Sequence, residues 1–177
     1  MRLFVALPAP EIVGFAPLER SRGPSPHLTL RFLGEVDADR RPPLEAAIGP
    51  VAARHPPFRL TLRGFGAFPD LERPRVVFAE VEEGRSETER IAADLDGHLD
   101  RQGFGRADRA FRPHVTLFRV RGAEDRERAH ALAARSDAPA LGETRVREVL
   151  LVESRLARQG ATHTTLRAWP LEGPETP

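Results

Sequence analysis

The sequence contains no cysteine, and this absence excludes disulfide bonds, thiolate nucleophiles and zinc sites built on cysteine. It also lacks any apolar run near the ~20 residues that a membrane-spanning helix needs. The first apolar run, Leu3 to Leu7, is too short for a signal peptide, and no cleavage-like segment follows it. We therefore expect a cytoplasmic protein that does not enter a membrane.

Lysine is absent as well, so all 27 basic residues are arginines. They nearly balance 26 acidic residues and leave a net charge of +1, which excludes a polycationic tail that binds nucleic acids. One explanation is genomic base composition, since Ala, Pro, Gly and Arg are all abundant. Another is phosphate binding, because the planar guanidinium can bind two oxygens at once. Composition alone does not separate the two.

Hydrophobic periodicity predicts strands that alternate with helices along the chain. Strands are expected over residues 3–7, 27–32, 58–65, 76–81, 114–120, 146–154 and 163–169. Helices are expected over 11–20, 40–55, 86–102 and 124–135, the third beginning with a capping box of Ser86 and Glu89. The pattern indicates an α+β fold of two similar lobes, one domain over 1–177 with a frayed tail at 172–177.

One short pattern occurs in both halves of the chain, as PHLTL at 26–30 and PHVTL at 113–117. In a strand, positions i and i+2 share a face. The histidine and threonine of each segment therefore share one face, while the apolar residues between them occupy the other. A third histidine and threonine at this spacing, in HTTL at 163–166, lacks the preceding proline, so we expect His163 to be a surface or structural residue.

Two imidazoles suit one reaction because histidine titrates near neutrality and can serve as an acid or as a base. On opposite sides of a phosphodiester, one of His27 and His114 could activate water and the other could protonate the departing oxygen. The hydroxyls of Thr29 and Thr116 can donate to phosphoryl oxygens. No carboxylate lies at metal-ligand spacing from either histidine, so neither a metal ion nor another cofactor is expected.

Four segments resemble those of the bacterial and archaeal RNA 2′,3′-cyclic phosphodiesterases, a family of the two-histidine (2H) phosphoesterase superfamily historically called 2′-5′ RNA ligases. They are RLFVAL at 2–7, HLTLRFLG at 27–34, RPHVTLFR at 112–119, and the stretch 153–169. The resemblance implies two α+β lobes, each with an antiparallel sheet and outer helices, flanking a central cleft. It also implies metal-independent hydrolysis of a terminal 2′,3′-cyclic phosphate of RNA to a 2′-phosphomonoester. Some relatives also join tRNA halves reversibly through 2′-5′ bonds.

Carried onto this sequence, the resemblance makes His27 the proton donor to the leaving 3′ oxygen and His114 the acceptor that activates water. Thr29 and Thr116 would bind the phosphate. Relative to the family, the segment before His27 is short, and His163 stands where tyrosine is frequent. The implied partner is an RNA with a 2′,3′-cyclic phosphate end or a small nucleotide, and we expect a monomer with no obligate protein partner.

Three further residues are candidate substrate contacts. By strand parity Arg31 shares the face of His27 and could meet a phosphate. Phe118 shares the face of His114 and could stack a base. Arg119 matches an arginine frequent in the family, although parity puts it on the face opposite His114. Other aromatic side chains, those of Phe32, Phe111 and Trp169, are expected in the core.

Two alternatives remain open from the sequence. One is a different 2H activity, on small cyclic nucleotides, 2′-5′ oligonucleotides or an ADP-ribose cyclic phosphate. The other is an RNA-binding module that keeps the pocket without turnover. The presence of histidine and threonine in both segments favours an enzyme, because a binding module has no need of two matched proton-transfer groups.

Overall fold

A computed structural model describes residues 1–13, 26–135, 137–157 and 160–174. Over these residues the chain forms eight strands and three α-helices. The strands are β1 (Arg2–Pro8), β2 (His27–Glu35), β3 (Phe58–Phe68), β4 (Val76–Val81), β5 (His114–Arg119), β6 (Ala140–Val146), β7 (Glu148–Ala157) and β8 (Gly160–Pro170). The helices are α1 (Arg41–Ala52), α2 (Arg85–Arg101) and α3 (Ala123–Ala133). None of these helices is long and apolar enough to cross a membrane.

The strands form two antiparallel sheets of four strands each. Sheet 1 has the order β2-β1-β7-β8, and sheet 2 has the order β5-β4-β3-β6. The two strands that begin with His27 and His114 are therefore both edge strands, and β2 contacts β5. The expected α+β class, with two antiparallel sheets and helices packed against them, is confirmed.

The largest hydrophobic cluster draws on both sheets and all three helices. On α2, the fully buried side chains of Ile91, Leu95 and Leu99 recur every four residues, which places them on one face of the helix. Helix α1 packs on β7 and β8, α2 packs on α1 and β2, and α3 packs on β3. The two sheets thus share one core, and each leaves its other face uncovered by these helices.

We name the two faces of each sheet by what they carry. The helix face contributes to the shared core, for example through Leu3, Val5 and Leu7 in sheet 1. The other face, which carries the predicted histidines, is the motif face. In sheet 1 it is built on a small separate cluster of Phe4, Ala6, Leu150 and Val152.

Some sequence predictions of local structure were wrong. Strand β6 was missed because it has few apolar residues, only Leu141 and Val146 being buried in it, as suits a sheet edge. Helix α2 has no capping box, because its N-cap is Gly84 with φ of 85° and Ser86 donates to the side chain of Glu87 instead.

The tail that the sequence predicts to be frayed, 172–177, is described as far as residue 174. The Gly173 amide donates to the His55 carbonyl at 3.0 Å, and Leu171 is buried. Residues 175–177 lie outside the described residues. So does most of the predicted helix at 11–20, whose described residues 11–13 are not helical.

Candidate active site

Strand β2 carries a β-bulge immediately after its His-x-Thr pair. Thr29 lies opposite Ala6 on β1, but the next partner pair is Arg31 with Val5, so Leu30 is an extra residue on β2. Directly opposed side chains of an antiparallel pair lie on the same face. Thr29 therefore shares the motif face with Ala6, whereas Arg31 shares the helix face with Val5. A bulge shifts the alternation of faces by one residue.

The same bulge occurs at the corresponding place in β5. Thr116 lies opposite Phe78 on β4, and the next pair is Phe118 with Val77, which leaves Leu117 as the extra residue. Val77 belongs to the shared core, while Phe78 contacts the ring of His114 from the motif face. The two His-x-Thr segments therefore agree in backbone irregularity as well as in sequence.

These bulges overturn the predicted orientation of Arg31. Its side chain is only 8% exposed and lies on the helix face, where it donates to Asp96 of α2 at 2.5 Å and to the Gly105 carbonyl at 2.9 Å. Strand parity placed it beside His27, but the extra residue Leu30 reverses that parity. Arg31 therefore anchors α2 on sheet 1 and does not lie on the motif face beside His27.

Phe118 and Arg119 exchange their predicted faces for the same reason. Phe118 packs against the shared core, with the guanidinium of Arg128 from α3 5.9 Å from its ring centre. Arg119 lies opposite Val76, two residues before Phe78 on β4, and therefore projects from the motif face that carries His114. Arg119 is exposed there. It replaces Phe118 as the residue of this segment that faces the site.

The expected core position of Phe32 is also wrong. It pairs with Phe4 across β1 and β2, its ring centre lies 5.8 Å from that of Phe4, and it is 65% exposed. The bulge turns it onto the motif face, where it presents an open aromatic surface. The core position expected for Trp169 agrees with the structure, since its side chain is buried. Phe111 is partly buried and packs against the core.

His27 projects from the motif face of sheet 1 into an aromatic environment. Its ring centre lies 5.1 Å from that of Phe4 and 5.0 Å from that of His163, which belongs to β8. His27 and Thr29 are both half-buried, so each is held by the sheet yet accessible. The position of His163 was not foreseen, because its segment lacks the proline and the half-chain spacing of the other two.

His114 occupies the matching place on sheet 2. Its ring packs against Phe68 at 4.9 Å and Phe78 at 5.2 Å between ring centres. Its Nδ1 lies 2.7 Å from the Arg112 carbonyl oxygen. A carbonyl can only accept, so Nδ1 carries the proton and Nε2 of the neutral ring has a free lone pair. Burial lowers the pKa of His114 below its ordinary value, which keeps the ring neutral near pH 7.

Arg112 is a further charged residue of the site. Its guanidinium lies over the ring of Phe78 at 4.9 Å and donates to Glu80 at 3.0 Å. A cavity of about 570 Å³ opens beside these groups and is lined in part by Phe65 and Leu71. The sequence signal was the position of Arg112 directly before the second histidine segment, but its contacts depend on β3 and β4.

Within the described residues there is no group of three His, Asp or Glu side chains placed to hold a metal ion. The polar groups of the two motif faces include imidazoles, hydroxyls and a guanidinium, from His27 and Thr29 in sheet 1 and from His114, Thr116 and Arg119 in sheet 2. The carboxylate of Glu80, opposite His114 on β4, accepts a hydrogen bond from Arg112. Such a set can bind an anion and move protons.

Comparison with known proteins gives this arrangement a family context. The model of the 2′-5′ RNA ligase superfamily matches residues 13–158. The RNA 2′,3′-cyclic phosphodiesterase of Aeropyrum pernix is 39% identical over 142 residues, which cover 79% of this chain and 78% of that protein. The enzyme of the same name from Thermus thermophilus is 35% identical over 190 residues, covering 98% of this chain and 91% of that one.

Solved structures show the same architecture. The crystal structure of TT0787 of Thermus thermophilus superposes with a TM-score of 0.77 at 32% identity, covering 99% of this chain and all of that one. Escherichia coli LigT, crystallised with 3′-AMP, superposes with a TM-score of 0.71 at 30% identity, covering 96% and 97% of the two chains. The similarity therefore extends over both sheets.

Proposed function

The chain belongs to the 2′-5′ RNA ligase superfamily and acts as an RNA 2′,3′-cyclic phosphodiesterase, and we propose that one histidine from each sheet carries out the reaction without a metal ion. The substrate is an RNA that ends in a 2′,3′-cyclic phosphate, and the product is a 2′-phosphomonoester. The observation that carries this mechanism is the pair of matching His-x-Thr segments, each bulged at the following leucine, on edge strands that contact each other.

His114 is the proton acceptor. The Arg112 carbonyl fixes the tautomer with hydrogen on Nδ1, so the lone pair of Nε2 is available to take a proton from water. Burial favours the neutral ring by lowering its pKa, and a base must start the reaction unprotonated. These two features support the acceptor role independently of family resemblance.

His27 is the proton donor. Water attacks phosphorus as its proton passes to Nε2 of His114, and the bond from phosphorus to the 3′ oxygen breaks as that oxygen takes a proton from His27. The 2′ oxygen keeps the phosphate, so the products are a 2′-phosphate and a free 3′-hydroxyl. In-line displacement puts the entering and leaving oxygens on opposite sides of phosphorus, which is why the two histidines belong on different strands.

The phosphate is held by side chains from both sheets. Thr29 and Thr116 donate hydroxyl hydrogens to the non-bridging oxygens, and Arg119 adds a charged donor from the motif face of sheet 2. Donors fixed in advance stabilise the charge that develops on these oxygens in the transition state. Arg31 and Phe118 take no part, since both face the helices.

The direct test incubates the protein, in EDTA, with a short RNA that ends in a 2′,3′-cyclic phosphate. The product is compared with authentic 2′-phosphate and 3′-phosphate standards before and after phosphatase treatment. We expect the 2′-phosphate to form at the same rate with and without chelator. As a matched control, His130→Ala changes an exposed histidine of α3 and should leave the rate unchanged. Loss of activity in EDTA that a divalent ion restores would contradict the mechanism, as would a 3′-phosphate product.

The same assay separates the remaining candidates. A binding module would retain the RNA but form no product, whereas a 2H enzyme for 2′-5′ oligonucleotides would cleave those in preference. Addition of a second RNA with a 5′-hydroxyl end tests for 2′-5′ joining, in which the 5′-hydroxyl takes the place of water, gives its proton to His114 and displaces the 3′ oxygen, which takes a proton from His27.

We further propose that the protein works in the cytoplasm as a monomer, in a single bilobal unit.

A further inference from the structure

Strand β8 contains a third copy of the bulged His-x-Thr segment. Thr165 lies opposite Val152 on β7, and the next pair is Arg167 with Leu151, so Leu166 is an extra residue. This is the same irregularity, at the same place after the threonine, that β2 and β5 show. The structure therefore adds a repeat that the flanking sequence had argued against.

The third segment also orients its side chains like the first. Val152 belongs to the small cluster of Phe4 and Ala6 on the motif face of sheet 1, so Thr165 opposite it lies on that face. His163 lies two residues earlier, before the bulge, and shares the face. The residue after the bulge, Arg167, is turned to the helix face and donates to Glu45 of α1 at 2.7 Å.

The curl of sheet 1 brings His163 next to His27. The strands β2 and β8 are three positions apart in the sheet, which in a flat sheet would separate them by about 14 Å. Instead the two imidazole centres are 5.0 Å apart with their planes at 71°, and both rings pack on Phe4. The side chain of His163 on β8 therefore lies next to that of His27 in the candidate site.

The surroundings of His163 determine which of its nitrogens can bind a ligand. Its Nδ1 is buried and has no hydrogen-bond partner among the described residues. A buried N–H without an acceptor costs more than an unpaired lone pair, so we place the proton on Nε2. Burial, and then the charge of His27, lower the pKa of His163. The neighbours on β1 and β7, Phe4 and Ser154, carry no charge, so His163 is a neutral N–H donor at pH 7.

We propose that His163 and Thr165 bind the phosphodiester on the 5′ side of the terminal nucleotide, and so make the enzyme favour RNA ends over mononucleotides. The proposal rests on the function proposed above, with His27 as the donor to the 3′ oxygen. Sheet 2 contacts sheet 1 through β2, and β8 comes from the opposite edge of sheet 1, so we infer that His163 approaches His27 from the side away from His114. On that side lies the ribose that owns the leaving oxygen, and its 5′ position carries the next phosphate.

The test compares three substrates: adenosine 2′,3′-cyclic phosphate, a dinucleotide with the same cyclic end, and that dinucleotide with an uncharged methylphosphonate linkage. The variants are His163→Phe, which keeps an aromatic ring against His27, and Thr165→Val. Thr164→Val is the matched control, because Thr164 lies opposite Glu153, between the two proposed residues in sequence but on the other face. Thermal melting of each variant shows that it is folded.

Each variant should lower kcat/KM for the natural dinucleotide by about 10- to 150-fold, as expected for the loss of a hydrogen bond to a charged group. For the mononucleotide and the methylphosphonate the change should stay within about threefold, since neither offers the charged linkage, and Thr164→Val should change none of the three. Equal losses on all three substrates would overturn the proposal and leave His163 as a support for His27. If the wild-type protein cleaves none of them, the proposed function itself fails. If the wild-type protein cleaves all three substrates with equal kcat/KM, only this inference is refuted.

Discussion

The assignment of acid and base can be tested by changing the leaving group. His27→Ala and His114→Ala should each reduce kcat/KM about 100- to 10,000-fold, the usual contribution of a general acid or base. These losses correspond to about 2.7–5.5 kcal/mol of transition-state stabilisation. On the natural substrate the two variants therefore look alike, and the rates alone do not tell donor from acceptor.

A substrate with sulfur in place of the 3′ oxygen separates them. A thiol has a pKa of about 8.5, so a thiolate departs with little help from an acid. His27→Ala should recover most of its loss on this substrate, to within about tenfold of the wild-type protein. His114→Ala should recover little, because water must still lose its proton as it attacks. The structure supports the acceptor role of His114, whose Nδ1 donates to the Arg112 carbonyl and whose pKa is lowered by burial.

The assay is the release of the 3′-thiol, followed with a thiol-reactive chromophore, beside product analysis on the oxygen substrate. Recovery of His114→Ala in place of His27→Ala would keep the two-histidine mechanism and reverse the roles. Equal recovery of both variants, or of neither, would refute the division of labour. The pH profile of the wild-type protein should be bell-shaped, because one imidazole must start protonated and the other neutral.

Three more outcomes follow from the same geometry. Thr29→Ala and Thr116→Ala should each lower kcat/KM by about 10- to 150-fold, which is less than the loss expected for either histidine variant. A folded threonine variant that is as inactive as the histidine variants would contradict a pure binding role. Phe68→Ala admits water to the imidazole of His114 and raises its lowered pKa toward the ordinary value. Because the base must be neutral, the acidic limb of the kcat/KM profile should then move to higher pH, and an unmoved limb would contradict the burial argument. Asp96→Leu leaves a buried guanidinium without its carboxylate and should destabilise the protein by about 3–5 kcal/mol in chemical denaturation, whereas a loss under about 1 kcal/mol would show that the pair is not structural.

Several features of this protein were determined by the sequence alone. Local alternation predicted the strands that begin at His27 and His114, because side chains at i and i+2 of any strand share a face. The repeated proline, histidine and threonine identified the pair that belongs together, and the pattern of strands and helices indicated the α+β class. The strands and the fold class depend on residues close in the chain, and these predictions are confirmed. The shared role of the two histidines stays a prediction.

The tertiary structure determined the features that depend on how strands pair with one another. A bulge depends on how many residues of one strand oppose those of its partner, and no local pattern reports that number. The bulge at Leu30 turned Arg31 away from the site, and the bulge at Leu117 turned Phe118 away and Arg119 toward it. The curl of sheet 1 brought His163 to His27 across three strands. Local sequence therefore identified the histidines that we propose as the reacting groups, while long-range strand register and sheet curvature determined which side chains surround them.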